Sequence, residues 1–477
     1  MDKKEKCGIV GASSAGGTDV LPKVISGLEA LQHRGQESWG ISAPGLPSLR
    51  RMGLVTNWHV ESDALSTYAG TSAIGHVRYS TKGRSVIENA QPIDIDSEFS
   101  IAHNGTLVNS DELSHSVAKE FGTSCESDTQ AAGYKLLGHL RQTGDMLEAF
   151  QRLSVEIFGA YCFVILDVKG RVYAARDPRG YRPLSLGWHE ASRTFMAASE
   201  SCGLEAAGAS FVRDIEPGEI VMFGTEGKLQ SFRFSPKVPP AYCSFEYTYF
   251  AHPSSRINGI SVYEARKRVG RELAKRFRPD ADVVIPVPDS ARPSALGFSL
   301  ESGLPMDEGL MKDRYRKRGS IRSFIEPEQG AREEVVRRII PVRDAINGKR
   351  VIVLDDSLVR GTSSKIIVES LKKAGAKSVK MAVTFPAIRH PCFMGIDFPE
   401  KEDLLAHRVA QGESDQAKVA SRVAEAVGVD EFFYNDIDGL SEAIGLPKDS
   451  LCFACVTGDY SKLGYRPPLL ADERVES

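Results

Sequence analysis

The sequence has no long hydrophobic run, no excess of one charge and few cysteines for its length. No apolar segment approaches the roughly 18 residues that span a bilayer, so we expect no membrane association. The formal net charge is −3 over 477 residues, which does not favour nucleic-acid binding. Eight cysteines without an apolar N-terminal signal indicate a reducing compartment, and we expect a cytoplasmic protein.

Length and composition are those of a globular protein with two or three domains, because one core stops growing near ~250–300 residues. Residues 7–235 contain short strands and a few helices, and a proline-rich stretch at 236–240 marks a domain junction. The second half, 236–470, contains three short and largely β-branched runs with helical patterns between or after them. These runs are 283–287, 351–354 and 379–383. We therefore expect an α+β first domain and an α/β second domain with a buried parallel sheet.

The C-terminal part of the second domain has a different pattern. Residues 401–447 are charge-rich, and their spacing of apolar residues predicts helices. The last ten or so residues are expected to be loose.

Cys7 lies close to the start of the chain, behind a polar hexapeptide. A cysteine exposed as the first residue carries its own base, because a free α-amino group has a pKa of roughly 7.7–8.0. We therefore expect residues 1–6 to be a propeptide that is removed. The alternative is a buried cysteine that packs in a first strand.

A polar loop, residues 355–364, follows the strand predicted at 351–354 and precedes a helix. Adjacent carboxylates at the carboxyl end of a strand can accept hydrogen bonds from ribose hydroxyls. Hydroxyl groups and free N–H groups at a helix N-terminus bind anions. The alternative is an acidic cap of that helix.

This loop resembles the phosphoribosyl-diphosphate loop of the type I phosphoribosyltransferases. The resemblance implies that Asp355 and Asp356 hold the ribose. It assigns the 5-phosphate to the next part of the loop, which comprises Gly361, Thr362, Ser363 and Ser364. It also implies a magnesium ion on the diphosphate, beside the acid pair and Ser290, where an ordinary turn is the alternative.

A basic segment at 312–322 precedes the loop in the chain. It is interpreted as a mobile loop in which Lys312 and Arg314 neutralise the diphosphate leaving group. A solvated surface loop and a nucleic-acid patch are the alternatives. The family's loop is shorter after these two residues, so the alignment of the later arginines stays open.

Four short strings in the first half fit one chemistry: 7–11, 75–81, 103–105 and 126–129. Together they resemble the class II glutamine amidotransferases, which have the αββα sandwich of the N-terminal-nucleophile hydrolases. Each string alone is a weak signal of function. Arg78 is also compatible with an ordinary surface cation, and Asn104-Gly105 also favours a hairpin turn.

The resemblance implies a role for each residue of this set. Cys7 attacks the side-chain amide of glutamine, and the Asn104 side chain and the Gly105 N–H form the oxyanion hole. Arg78 pairs with the substrate α-carboxylate, and Asp128 receives its α-ammonium. Residues 32–36 match the family too and are expected to shape the pocket.

A glutaminase half fused to a phosphoribosyltransferase half resembles the amidophosphoribosyltransferases. The implied reaction makes 5-phosphoribosylamine from phosphoribosyl diphosphate with ammonia that passes internally, the first committed step of purine synthesis. Homodimers or homotetramers and inhibition by purine nucleotides are implied as well. The alternatives are an enzyme with glutaminase activity only and a non-catalytic sensor. The acid pair argues against the first alternative, and the glutaminase set argues against the second.

Four cysteines have contexts that match the iron–sulfur subgroup of this family: Cys243, Cys392, Cys452 and Cys455. The resemblance implies a 4Fe-4S cluster, and four thiolates satisfy the requirement of such a cluster. A four-cysteine zinc site and four unlinked thiols are the alternatives. Cys162 is expected to pack in the core, and no function is assigned to Cys125 or Cys202.

Overall fold

The computed structural model describes residues 7–79, 86–313, 339–396, 398, 400–410 and 412–464, without the side chains of 59–62. The proposed propeptide and Arg314 therefore lie outside the described residues. Among the helices described, none is both long enough and apolar enough to cross a membrane.

The first half combines antiparallel strands with six α-helices in its described part. The helices are α1 (Leu21–Ala30), α2 (Ser62–Ser66), α3 (Ser110–Phe121), α4 (Asp128–Thr143), α5 (Met146–Leu153) and α6 (Ser201–Ala206). The strands are β1 (Gly8–Ser14), β2 (Ser38–Ser42), β3 (Leu49–Met52), β4 (Ser72–Arg78), β5 (Ile93–Ile95), β6 (Phe99–Leu107), β7 (Gly159–Asp167), β8 (Val172–Arg176), β9 (Ser185–His189), β10 (Thr194–Ala198), β11 (Ser210–Asp214), β12 (Glu219–Phe223) and β13 (Leu229–Arg233).

These strands form two sheets that pack face to face. One sheet has the order β11-β9-β10-β1-β4-β2-β3, and the other has the order β13-β12-β8-β7-β6-β5. The core between them includes Ile9, Ile74, Val164 and the fully buried Cys162, as predicted for that cysteine. Helices α1 and α6 cover the outer face of the first sheet, and α4 and α5 cover that of the second. The first half is therefore the αββα sandwich that the resemblance implied.

The second half alternates strands with helices. Its described helices are α7 (Val262–Arg276), α8 (Arg292–Ser302), α9 (Arg343–Ile346), α10 (Thr362–Lys373), α11 (Leu405–Val409), α12 (Gln416–Val427), α13 (Ile437–Ile444) and α14 (Ala454–Thr457). Its strands are β14 (Tyr242–Cys243), β15 (Arg256–Ile257), β16 (Ile260–Ser261), β17 (Val283–Pro286), β18 (Leu310–Lys312), β19 (Ile339–Pro341), β20 (Arg350–Asp355), β21 (Ser378–Val383), β22 (Glu431–Tyr434) and β23 (Leu451–Cys452).

A four-stranded parallel sheet of the order β17-β20-β21-β22 forms the centre of this half. Successive residues of β20 point to opposite faces. Val351 and Val353 pack in the core with helices α10 and α12. Ile352 and Leu354 pack in the core with α7 and α8. Because β17 and β20 are parallel neighbours, the loops that follow them lie at the same edge of the sheet.

The prediction of helices over 401–447 was wrong at β22. This short strand pairs with β21 and buries Phe432 and Tyr434. Four residues between two helices carry little periodicity of their own. Pairing with a neighbour distant in sequence, which no local pattern records, makes the segment a strand.

Candidate active sites

Cys7 and Arg78 lie side by side at one end of the first sheet. In the antiparallel pair of β1 and β4, Gly8 faces Val77, so the residue before β1 adjoins the last residue of β4. The Cys7 side chain is buried, and its Sγ lies 3.7 Å from the carbonyl oxygen of Tyr79. The guanidinium of Arg78 is buried too and lies 3.9 Å from the carboxylate of Glu37. A thiol and a cation are thus held together in a partly dry environment.

Asn104 and Gly105 lie within β6, and the alternative of a hairpin turn is not formed. The Nδ2 of Asn104 donates to Ser199 Oγ at 3.4 Å, and the same hydroxyl accepts a hydrogen bond from the backbone N–H of Ile9 at 3.0 Å. Asn104 is therefore tied to β1 two residues beyond Cys7. Gly105 has a φ of +150°, and a Cβ there would lie 1.9 Å from the carbonyl oxygen of Ala160. Only glycine fits this position.

Asp128 begins α4 and faces the end of β6. Its carboxylate accepts hydrogen bonds from the backbone N–H groups of Leu107, at 3.1 Å, and Thr129, at 2.8 Å. Burial on its own would raise the pKa of this carboxyl. His103 Nδ1, 3.7 Å away, and the two N–H donors outweigh the burial and lower the pKa to about 2. Asp128 is therefore a fixed negative charge near neutral pH.

A buried charge network, which sequence reasoning missed, lies directly behind Cys7. It comprises Arg34, Arg182, Glu200 and Glu246, each at most 1% exposed. The Nε of Arg34 donates to the carbonyl oxygen of Cys7 at 3.3 Å, and its Nη1 donates to Glu200 at 2.5 Å. Its Nη2 and the Nη1 of Arg182 both donate to Glu246 Oε1, at 2.8 and 2.9 Å. In the sequence, residues 32–36, 177–184 and 245–247 match the family, but nothing in these matches indicated that Arg34, Arg182 and Glu246 contact one another.

Charges in this network stabilise one another. Burial would lower the pKa of the Arg34 guanidinium, but Glu246 and Glu200 raise it above its ordinary value. Burial would likewise raise the pKa of the Glu246 carboxyl, but Arg34 and Arg182 lower it. Arg34 and Glu246 therefore stay ionised in the interior. Glu246 follows the domain junction in the chain, so the network joins the two halves.

In the second half, Ser290 and Asp356 meet across neighbouring strand ends. Ser290 Oγ donates to Asp356 Oδ2 at 2.6 Å, and Ser357 Oγ donates to the other carboxylate oxygen at 2.8 Å. Asp356 is buried, and Asp355, the last residue of β20, is half-buried. The turn after β17 thus adds a hydroxyl to Asp356, the second member of the acid pair.

The segment that connects the acid pair to α10 turns at Gly361. Gly361 has a φ of +81° and immediately precedes the helix, so the acid pair does not cap it. A Cβ at Gly361 would lie 2.5 Å from a side-chain carbon of Leu405. Thr362, Ser363 and Ser364 form the first turn of the 12-residue helix, where backbone N–H groups have no partner inside the helix. This arrangement suits a phosphate group.

Lys312 ends β18 and reaches toward the same edge. Its Nζ lies 2.7 Å from the carboxylate of Asp289, the residue before Ser290. The other predicted member of the basic loop, Arg314, lies outside the described residues, as do the arginines that follow it up to 322.

The four cysteines assigned to a cluster come together, although Cys243 and Cys392 are distant in sequence from each other and from Cys452 and Cys455. Cys243 and Cys452 are directly paired across the parallel strands β14 and β23. Burial raises the pKa of the Cys455 thiol, and Cys392, Cys452 and Cys243 raise it further, so the four sulfurs lie within electrostatic range of one another. In the described part of the chain, no three Cys, His, Asp or Glu side chains are placed to hold a single metal ion.

Comparisons with known proteins cover nearly the whole chain. A family model described as a glutamine amidotransferase domain matches residues 76–206. An amidophosphoribosyltransferase of Methanocaldococcus jannaschii is 42% identical, over 95% of this chain and 97% of the relative. That of Bacillus subtilis is 37% identical, over 98% and 96%.

Two solved structures are similar over the same extent. One is glutamine phosphoribosylpyrophosphate amidotransferase from Bacillus subtilis complexed with ADP and GMP. It has a TM-score of 0.82 at 35% identity and covers 95% of this chain and 97% of its own. The other is described as the allosteric regulatory enzyme of purine biosynthesis. Its TM-score is 0.83 at 36% identity, with 95% and 96% covered.

Proposed function

The chain belongs to the amidophosphoribosyltransferase family, and from that premise we propose how its residues divide the reaction. It is a glutamine-dependent enzyme that makes 5-phosphoribosylamine from phosphoribosyl diphosphate, the first step of purine biosynthesis. In our proposal, the domain over 7–235 releases ammonia from glutamine and the domain over 236–470 consumes it. Ammonia passes between them inside the protein, where it escapes protonation by bulk water.

Cys7 is the proposed nucleophile of the glutaminase reaction. After removal of residues 1–6, its own α-amino group accepts the thiol proton, and the sulfur attacks the amide carbon of glutamine. The Asn104 side chain and the Gly105 N–H stabilise the oxyanion, and one such donor typically contributes ~3–4 kcal/mol. Ammonia leaves, and water then hydrolyses the thioester to glutamate. The shared hydroxyl of Ser199 supports this assignment because it ties Asn104 to β1.

Arg78 and Asp128 are the proposed holders of the substrate's backbone groups. The guanidinium of Arg78 presents two parallel N–H donors to the α-carboxylate. The carboxylate of Asp128 accepts the α-ammonium, and its low pKa keeps it charged there. A cation and an anion that bind the two charged groups on the substrate's Cα would fix the side-chain amide relative to Cys7.

At the second site, Asp355 and Asp356 are the proposed ligands of the ribose hydroxyls. The 5-phosphate binds the helix start behind them, at Gly361, Thr362, Ser363 and Ser364. Lys312 and Arg314 neutralise the diphosphate. The charge of Lys312 is held at the correct edge by Asp289.

The oxygen donors present fit a magnesium ion, because Ser290 lies 2.6 Å from Asp356 and beside the turn assigned to the diphosphate. Ser290, Asp355 and Asp356 would hold it, with the diphosphate completing the coordination. When bound, the ion neutralises charge on the leaving pyrophosphate. The acid pair keeps its proposed role toward the ribose.

The convergence of Cys243, Cys392, Cys452 and Cys455 supports a 4Fe-4S cluster. A four-cysteine zinc site is the alternative, and an iron and sulfide assay distinguishes the two. In the cluster, each thiolate binds a different iron. Bound there, the cluster would join β14, β23 and the loop of Cys392. None of the eight cysteines, all within the described residues, forms a disulfide, and we also propose that the protein works in a reducing compartment.

Regulation and assembly are proposed from the relatives. ADP and GMP are bound in the solved Bacillus subtilis structure, which supports inhibition of this chain by purine nucleotides. A homodimer or a homotetramer is the proposed assembly.

The observation that carries the proposal is the adjacency of Cys7 and Arg78 at one end of β1 and β4. The test is to supply either glutamine or ammonia with phosphoribosyl diphosphate and to measure pyrophosphate, with glutamate measured in the glutamine reaction. Equal amounts of glutamate and pyrophosphate are expected with glutamine, and pyrophosphate release is expected with ammonia. Glutamate without pyrophosphate would indicate a glutaminase alone, and neither product would indicate a sensor.

Intact mass together with an iron and sulfide assay on anaerobically purified protein tests processing and the cluster at once. The expected results are a mass that begins at Cys7 and about four irons and four sulfides per chain. One zinc per chain without sulfide would indicate a four-cysteine zinc site and contradict the cluster.

A further inference from the structure

A loop of the second half packs directly against the backbone of Gly105. We call residues 392–396 the Cys392 loop. Gly395 in this loop has a φ of +99°, and a Cβ there would lie 3.3 Å from the carbonyl carbon of Gly105 and 3.4 Å from its Cα. It would also lie 3.0 Å from Arg182 Nη2. Backbone therefore meets backbone here, with no room for a side chain to be added without displacement.

The Cys392 loop is also connected to the other side of the glutaminase site. The Nη2 of Arg182 donates to the carbonyl oxygen of Met394 at 3.1 Å. The same guanidinium donates to Glu246, which accepts from Arg34, whose Nε donates to the carbonyl oxygen of Cys7. Fully buried hydrogen bonds thus run from the loop to the backbone of the nucleophile. One loop contacts the proposed oxyanion donor and, through three side chains, the proposed nucleophile.

We propose that the Cys392 loop is a positioning element of the glutaminase site and that Gly395 is its positioning residue for Gly105. The inference rests on the proposed role of Gly105 in the oxyanion hole. A donor must lie within a few tenths of an ångström of its productive position to act on the transition state. Gly395 provides the surface that keeps the Gly105 backbone in this productive position. Use of free ammonia bypasses the glutaminase site and should therefore not depend on the contact between Gly395 and Gly105.

The test is Gly395→Ala, with Gly428→Ala as the matched control. Gly428 also has a left-handed backbone, φ +84°, but a Cβ there meets nothing within 4 Å. The control therefore introduces the same kind of backbone strain without a contact. For Gly395→Ala we expect kcat with glutamine to fall by about 10-fold, because the added Cβ forces the Gly105 backbone to shift by a few tenths of an ångström from its productive position. KM for glutamine should change less than twofold, since the substrate's charged groups bind elsewhere, and ammonia-dependent turnover should stay within about twofold of the parent.

A readout independent of turnover is the rate at which Cys7 is alkylated by a glutamine analogue with a diazoketone in place of the amide, followed by intact mass. The rate should fall in Gly395→Ala and stay unchanged in Gly428→Ala. Equal losses with glutamine and ammonia, or no loss with either, would overturn the inference. Asn104→Ala distinguishes a wrong oxyanion assignment from a wrong positioning role of Gly395. If it leaves kcat with glutamine unchanged, the oxyanion assignment itself fails. If it lowers kcat and Gly395→Ala does not, only the positioning role fails.

Discussion

The guanidinium Nε of Arg34 donates a hydrogen bond to the backbone carbonyl oxygen of Cys7 at 3.3 Å. The rest of that guanidinium is occupied by Glu200 and Glu246, and Glu246 belongs to the second half of the chain. The backbone of the proposed nucleophile is therefore held by a buried group whose charge is balanced from both halves. Separation of the halves would leave Arg34 only partly compensated, which makes correct docking a condition for an ordered glutaminase site.

Replacement of the nucleophile should separate the two activities. In Cys7→Ala we expect glutamine-dependent pyrophosphate release to fall at least about 1,000-fold, because no covalent route to ammonia is left. Ammonia-dependent release should persist, since the second site does not use the thiol. Both rates are measured at saturating phosphoribosyl diphosphate. Cys125→Ala, which changes a half-buried thiol without a proposed role, should leave both rates unchanged. Unaltered use of glutamine in Cys7→Ala would disprove the assignment.

Removal of the carboxylate shared by two buried arginines should destabilise the protein strongly. Glu246→Ala leaves Arg34 and Arg182 without that partner, and loss of one member of a buried ion network typically costs about 3–5 kcal/mol. The matched control is Glu216→Ala, which removes an exposed partner of Arg233 and should cost about 0–1 kcal/mol. Urea unfolding followed by circular dichroism gives both values. Similar losses in the two variants would contradict the structural role of the network.

Loss of the buried acid at the second site should affect both nitrogen donors. In Asp356→Asn we expect pyrophosphate release to fall at least about 10- to 100-fold with glutamine and with ammonia alike, because the site of the sugar is common to both. Asp307→Asn, which changes an exposed carboxylate of the same half near Lys349, should retain activity. If Asp356→Asn lost only the activity with glutamine, the assignment of Asp356 to the phosphoribosyl-diphosphate site would be wrong.

The low pKa of Asp128 gives its contribution to stability a defined pH dependence. Folding lowers the pKa of this carboxyl from 3.8 to about 2, so the ionised form is the one that the folded state favours. The resulting stabilisation, at most about 2 kcal/mol, is fully present well above pH 4 and is lost as the pH falls toward 2. The difference in unfolding free energy between the parent and Asp128→Asn should therefore be constant from pH 7 to 5 and shrink at pH 4 and 3. A difference that grows on acidification would have the wrong sign.

Much of the second domain could be predicted from local pattern. The runs at 283–287, 351–354 and 379–383 became β17, β20 and β21, because strands buried on both faces leave a continuous apolar signal. The strand β22 was missed because its four residues gain their conformation from the partner strand. In the first domain, the strand that contains Asn104 was not predicted, because the local sequence Asn104-Gly105 favours a hairpin turn.

By itself, the sequence determined local features only. These are a cysteine near the start, an acid pair behind an apolar strand, and four cysteines in recognisable contexts. Those features are local because chemistry and strand periodicity act within a few residues. Tertiary structure alone decided that Arg34 meets Glu246, 212 positions away, and that Gly395 supports Gly105. Such contacts leave no local signal, since burial of a charge or a close approach of two backbones depends on how separate sheets and loops pack together.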